Sequence, residues 1–156
     1  MWRLKGHTLI PHRYLAAKGT PVGKQLVVGA LIVDDPEMPM RVLVARRSTS
    51  PVGRWEFPGG KVEHRESPKA ALVREIQEEL HVAVVVGQRL DPPADGRWPI
   101  SESLEMELWW CSADGAPRHG DSHDQVRWLT AAELPTVHWL DADRQALPLV
   151  AAALRR

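Results

Sequence analysis

The segment from Gly59 to Val82, GGKVEHRESPKAALVREIQEELHV, constrains this chain more than any other. It sets a Gly-Gly pair and a lone Glu66 ahead of the run Arg74-Glu75-Ile76-Gln77-Glu78-Glu79. On a helix, Glu75, Glu78 and Glu79 stand at i, i+3 and i+4, where like charges repel by roughly 0.2–0.5 kcal/mol per pair. A helix that crowds negative charge in this way either gives it to water or uses it to hold a cation.

Local signals predict that helix. Gly59-Gly60 reads as a turn, where a positive φ carries no steric cost. Ser67 suits an N-cap and Pro68 the first helical position. The stretch from Ala70 to Leu80 is rich in helix formers, and Leu72, Val73, Ile76 and Leu80 make an apolar stripe at helical spacing. The three carboxylates project about a third of a turn away from the stripe. Ala71, one turn before Glu75, leaves room beside them, and Arg74 precedes Glu78 by four residues and can brace it. Hard oxygen ligands on a rigid backbone suit Mg²⁺ or Mn²⁺, and Mg²⁺ commonly bridges a few carboxylates to substrate phosphates. R-E-x-x-E-E alone is also common on solvated helices; the Gly-Gly pair, Glu66 and Arg74 at their offsets favour the cation.

Together these positions resemble the signature of the Nudix hydrolases, G-x5-E-x7-R-E-U-x-E-E-x-G-U with U a bulky aliphatic, laid over Gly60 to Val82. Every specified position matches except one, where His81 stands for the family's second glycine. The run Trp55-Glu56-Phe57-Pro58-Gly59-Gly60-Lys61 is most similar to the MutT-like branch, the small nucleoside triphosphate pyrophosphohydrolases. Similarity of pattern extends from Leu26 to Leu154. A glycine at 81 would supply a left-handed residue to end the helix; histidine tolerates that conformation at modest cost, so the site is expected to survive with a strained or shifted cap. The resemblance implies an α/β fold, an α/β/α sandwich around a mixed β-sheet.

It also implies roles. Mg²⁺ would be held by Glu78, Glu79 and the Gly59 carbonyl, with Glu75 as general base or further ligand, oriented by Arg74. Glu66 would steady the loop or support the ligands from behind. Water would attack a phosphorus and release a nucleoside monophosphate and pyrophosphate. Lys61 either neutralises phosphate or is a solvated lysine after a turn. Arg47 aligns with a substrate-contacting arginine of the branch. Asp143 falls where the branch reads the base edge; an ionised carboxylate there suits the exocyclic amine of cytosine or the N–H donors of an oxidised guanine. Asp141 has an N-cap role as its alternative, which Asp143 would share. Trp139 or Phe57 would stack on the base. Some relatives carry an extra acid on the loop before the strand at Val126; that position falls near Ser122, which cannot replace a carboxylate, leaving Asp121 or Asp124.

The rest of the chain sets bounds. Its 156 residues suit one domain, read as 25–156, behind a basic extension at 1–24 with Arg3, Lys5, Arg13, Lys18 and Lys24 and no acid. Basic and acidic residues number 20 each, which argues against a nucleic-acid polymer as partner and leaves a small-molecule nucleotide. No apolar run is long enough to span a membrane, and 1–24 lacks a signal-peptide core. The single Cys111 lies in Leu108-Trp109-Trp110-Cys111 and reads as a buried, inert thiol in a reducing cytoplasm. Either a monomer or a homodimer fits. Strands are expected at Gln25–Val33, Val42–Ala45, Trp55–Phe57, Val82–Val86, Leu104–Cys111 and Val126–Leu129. A capping box opens at Thr130, and a final helix over Ala142–Leu154 is kinked or restarted at Pro148.

Three functions compete. The leading one is hydrolysis of free nucleotides such as 8-oxo-dGTP, (d)CTP or a modified cytidine triphosphate, a cleansing of the nucleotide pool. A sibling activity would act on dinucleoside polyphosphates or ADP-ribose; Pro99 lies at about the spacing where ADP-ribose enzymes carry a proline. A non-catalytic binding module usually loses acids of the box, and here Glu75, Glu78 and Glu79 are all present.

Overall fold

The computed structural model describes residues 23–155. The expected N-terminal extension therefore lies almost wholly outside the described residues. Strand β1 (Gln25–Val33) runs through the middle of the sheet. It pairs in parallel with β7 (Leu104–Asp114), from Gln25 opposite Leu104 to Val33 opposite Ser112. On its other side β4 (Gly59–Lys61) and β2 (Arg41–Arg47) share its length, both antiparallel. β2 carries β3 (Trp55–Glu56) and β8 (His123–Thr130), while β5 (Ala83–Leu90) and β6 (Trp98–Pro99) pair antiparallel with β7. One parallel pair among antiparallel ones makes the sheet mixed, as expected.

The near-continuous apolar run of β1 follows from burial on both faces. Val28, Ala30 and Ile32 pack with Ala71, Leu72, Ile76 and Leu80 of helix α1 (Pro68–Leu80). Leu31 and Val33 pack on the opposite side with Trp55, Phe57, Trp139, Val150 and Leu154. That second layer holds a 3-10 turn (Ala131–Thr136) and helices α2 (Asp141–Arg144) and α3 (Leu147–Ala153). The final helix is thus broken in two, with Pro148 in the first turn of the second piece. Glu133 accepts from both the Thr130 amide and its hydroxyl, 3.0 Å each, so the box forms although the turn is 3-10.

Three local expectations are corrected. Val73 is 40% exposed, and Ala71 takes its place in the core stripe. Gly59 and Gly60 are not left-handed; they are extended residues of β4. Glycine is required there by close approach: a β-carbon on Gly59 would lie 1.9 Å from the Val28 carbonyl oxygen of β1. Strand β8 begins at His123, three residues earlier than the apolar pattern shows, because His123 faces the cleft and Asp124 and Gln125 are exposed, so none of the three adds to an apolar run.

Helix α1 starts and stops as read. Ser67 Oγ accepts from the Ala70 amide at 3.1 Å, and His81 adopts φ 55°, ψ 39° while its amide donates to Gln77. Beyond the cap, the Leu80 and Glu79 carbonyls accept from the Arg118 and Gly120 amides at 2.9 and 3.0 Å. The β7–β8 connection is thereby docked on the end of the acid-bearing helix.

Candidate active site

The acids of α1 are organised by Arg74. Its Nε and Nη2 donate to the two oxygens of Glu66, both at 2.8 Å, a bidentate clamp. Nη1 donates to Glu75 Oε1 at 2.9 Å, Nη2 reaches the Lys61 carbonyl at 3.1 Å, and Glu78 Oε2 lies 3.5 Å away. The Arg74 guanidinium, helped by the Glu63 amide, holds the Glu66 carboxyl down at about 2. Glu66 also accepts from Glu63 N at 3.0 Å, so it locks the loop ahead of the helix. Glu75 is raised from its ordinary value by burial, against the pull of Arg74.

Glu79 faces inward. Its Oε2 is buried without a hydrogen-bond partner. Burial, reinforced by the charges of Glu56 and Glu75, pushes its carboxyl up to about 8. An anionic oxygen with no donor is costly in a low-dielectric setting, and a divalent cation is the partner such an oxygen lacks. The donor set fits in chemistry. Its side chains are not drawn together as a cage: among the described residues no three acidic, histidine or cysteine groups converge, because Glu75 leans on Arg74 and Glu78 is 60% exposed.

A cleft of about 460 Å³ opens beside Glu79. Gly59, Gly60 and Lys61 line it with Glu79, as do Arg47, Phe57 and Asp143, so the structure brings together these seven residues singled out in the sequence. Asp143, in α2, is 4% exposed and accepts from the Phe57 amide at 3.2 Å through Oδ2. Burial first, and the Glu56 charge second, raise its carboxyl well above the ordinary value, opposed by the Phe57 amide and Arg47. It is not a helix cap; that position belongs to Leu140, and Asp141 is 85% exposed and pairs with Arg144 at 3.0 Å.

Trp139 is placed elsewhere than expected. It is 2% exposed, donates from Nε1 to the Leu134 carbonyl at 2.6 Å, and does not line the cleft. Its ring backs Phe57, with centroids 4.9 Å apart. Neither Asp121 nor Asp124 lines the cleft; Asp124 is held by Arg46 at 2.7 Å. Pro99 does not line it either, and its carbonyl accepts from Gln145 at 2.7 Å.

Sequence reasoning passed over Glu56 and His123. Glu56 takes Arg47 Nη1 on Oε1 at 2.8 Å and His123 Nε2 on Oε2 at 2.8 Å, and both residues line the cleft. The signal for Glu56 lay inside the Trp55–Lys61 run. His123 had none, because it meets Glu56 only through pairing of β8 and β3 with β2.

The NUDIX domain matches residues 23–150 of this sequence. The chain belongs to the Nudix family. Its relatives include the CTP pyrophosphohydrolase of Escherichia coli K12, 45% identical over 134 residues, covering 78% of this chain and 95% of that protein. A Mycobacterium tuberculosis protein provisionally named 8-oxo-dGTP diphosphatase 2 is 41% identical over 126 residues, covering 77% and 83%. The MutT structure described for Aliivibrio salmonicida and Vibrio cholerae superposes with a TM-score of 0.66 at 27% identity, over 83% of this chain and 98% of the other. This Nudix hydrolase therefore has the α/β sandwich its motif implied, with the motif helix on one face of the mixed sheet and the cleft beside it. Family membership brings with it dependence on a divalent cation and small nucleotide substrates. Among the described residues no helix is long and apolar enough to cross a membrane.

Proposed function

We propose that this enzyme hydrolyses (deoxy)nucleoside triphosphates to the monophosphate and pyrophosphate with Mg²⁺, Mn²⁺ being able to replace it. The substrates are 8-oxo-dGTP or (d)CTP-like nucleotides, and the setting is the cytoplasmic nucleotide pool. One observation carries the reading: a single cleft is lined by Glu79 with its unpartnered Oε2, the Gly59 backbone, and the buried carboxyl of Asp143.

Glu78, Glu79 and the Gly59 carbonyl would hold the cation, with Glu75 as base or additional ligand. When bound, Mg²⁺ supplies charge neutralisation at the phosphates and a more acidic water. Glu75, placed by Arg74 at 2.9 Å, takes the proton of the attacking water. Arg47 and Lys61, both on the cleft wall, offset phosphate charge. Phe57 lies against the base with its ring braced by Trp139. Asp143 reads the base edge. Burial raises its carboxyl well above the ordinary value, and in its neutral form it offers one donor and one acceptor. That pattern complements the donor–acceptor edge of cytosine, and equally the N7–H and O6 edge of 8-oxoguanine.

The test is a hydrolysis panel with Mg²⁺ over dCTP, CTP, 8-oxo-dGTP, dGTP and ADP-ribose, with products identified. Monophosphate and pyrophosphate from dCTP or 8-oxo-dGTP are expected. Turnover confined to ADP-ribose, or none with any nucleotide, overturns the reading.

A further inference from the structure

His123 is buried against the cleft and has no part in the chemistry above. Its side chain is 1% exposed. Its Nε2 lies 2.8 Å from Glu56 Oε2 and its Nδ1 3.3 Å from Ser122 Oγ. Glu56 gives its other oxygen to Arg47 Nη1 at 2.8 Å. The strands set up this chain: His123 sits opposite Arg47 across β8 and β2, where the register shifts between Arg46 and Arg47. A break in register of this kind re-aims the side chains beside it. On the other side of β2, Glu56 sits opposite Ala45.

A glutamate with one partner swings about its side-chain torsions; one gripped at both oxygens does not. We propose that His123 is a positioning residue, which fixes Glu56 and through it the guanidinium of Arg47 for the substrate's phosphates. The inference rests on the reading of Arg47 as a phosphate contact. Arg47 is also tied by Nη2 to Thr49 Oγ1 at 3.2 Å and to the Ser50 carbonyl, so its head is held from two directions. Loss of the Glu56 hold leaves the head able to turn about the second. That penalty falls on substrate capture rather than on the water-activating acids of α1.

The experiment measures KM and kcat with Mg²⁺ for dCTP and 8-oxo-dGTP in His123→Ala, His123→Gln, Arg47→Ala and the Ala double variant. His123→Ala is expected to raise KM about tenfold with kcat within about threefold, and His123→Gln, whose amide replaces the Nε2 donor, to restore KM to within about threefold of the parent. In the Arg47→Ala background, loss of His123 is expected to add less than about twofold, since both act along one path. An unchanged KM in His123→Ala beside a raised KM in Arg47→Ala overturns the proposal alone. So do fully multiplicative effects, or a fall in kcat that Gln does not rescue. An unchanged KM in Arg47→Ala overturns the reading of Arg47 and the proposal with it. Should His123→Ala not fold, His123→Gln and Glu56→Ala carry the test: KM kept in the first and raised in the second supports it, and equal KM overturns it.

Discussion

Gly60 and the carboxylate of Glu75 compete for one space: a β-carbon on Gly60 would lie 2.4 Å from Glu75 Cδ and 2.5 Å from each of its oxygens. The neighbouring Gly59 is crowded by backbone instead, with its hypothetical β-carbon 1.9 Å from the Val28 oxygen. The two glycines therefore separate fold from chemistry. Gly60→Ala is expected to fold normally but to lose about 10²-fold in kcat, because the displaced group is the end of a side chain that the reaction needs in place. Gly59→Ala is expected to lose about 3 kcal/mol of stability, because β4 must move off β1. Urea midpoints and kcat for both variants check this; equal stability in the two would contradict it.

Glu75→Gln keeps the shape of the acid and its contact to Arg74 while removing its basicity. Turnover is expected to fall by roughly 10² or more, while the nucleotide dissociation constant, measured by calorimetry with Mg²⁺ present, stays near that of the parent. Full activity in this variant would move the role of base to another residue.

Asp143 makes stability depend on pH in a defined sense. Its folded pKa lies above the unfolded value of 3.8. The stability tied to its neutral form is therefore complete below that value and is lost as pH rises toward the folded pKa. Asp143→Asn has the same shape and can still accept from the Phe57 amide, but does not titrate. Its advantage over the parent is expected to grow by about 1.4 kcal/mol per pH unit above pH 4, levelling where Asp143 ionises in the fold. Urea unfolding at pH 5, 6, 7 and 8 measures the difference; a flat line would show Asp143 titrating at its ordinary value.

His81 holds a left-handed conformation that the family motif gives to glycine. His81→Gly is expected to stabilise the protein by about 1 kcal/mol, or about 3 °C in Tm at this chain length. The imidazole Nε2 also closes on Gly120, 3.2 Å from where a β-carbon there would sit. A fall in Tm would show that this packing outweighs the backbone strain.

Local signals in the sequence were reliable where the chain makes its own structure. The Ser67 cap, Pro68 at the helix start, the positive φ at 81 and the restart at Pro148 are all settled within a few residues. So is the set of acids on α1, because helical spacing alone puts Glu75, Glu78 and Glu79 on neighbouring positions. The fold class followed from a motif long enough to specify its family, to which the order of expected strands and helices conformed.

What the side chains meet was decided only in three dimensions. Glycines 59 and 60 looked like a turn because a sequence shows a missing side chain but not what would collide with one. Trp139 resembled a stacking surface until its indole was seen to be buried behind Phe57. Glu56 and His123 are 67 positions apart, and no spacing rule joins them. Strand pairing, with a register shift beside Arg47, brings them to 2.8 Å. Residue order determines where charge lies along a helix, since that geometry repeats every few residues; it takes the register of a sheet to determine which distant charges share a cleft.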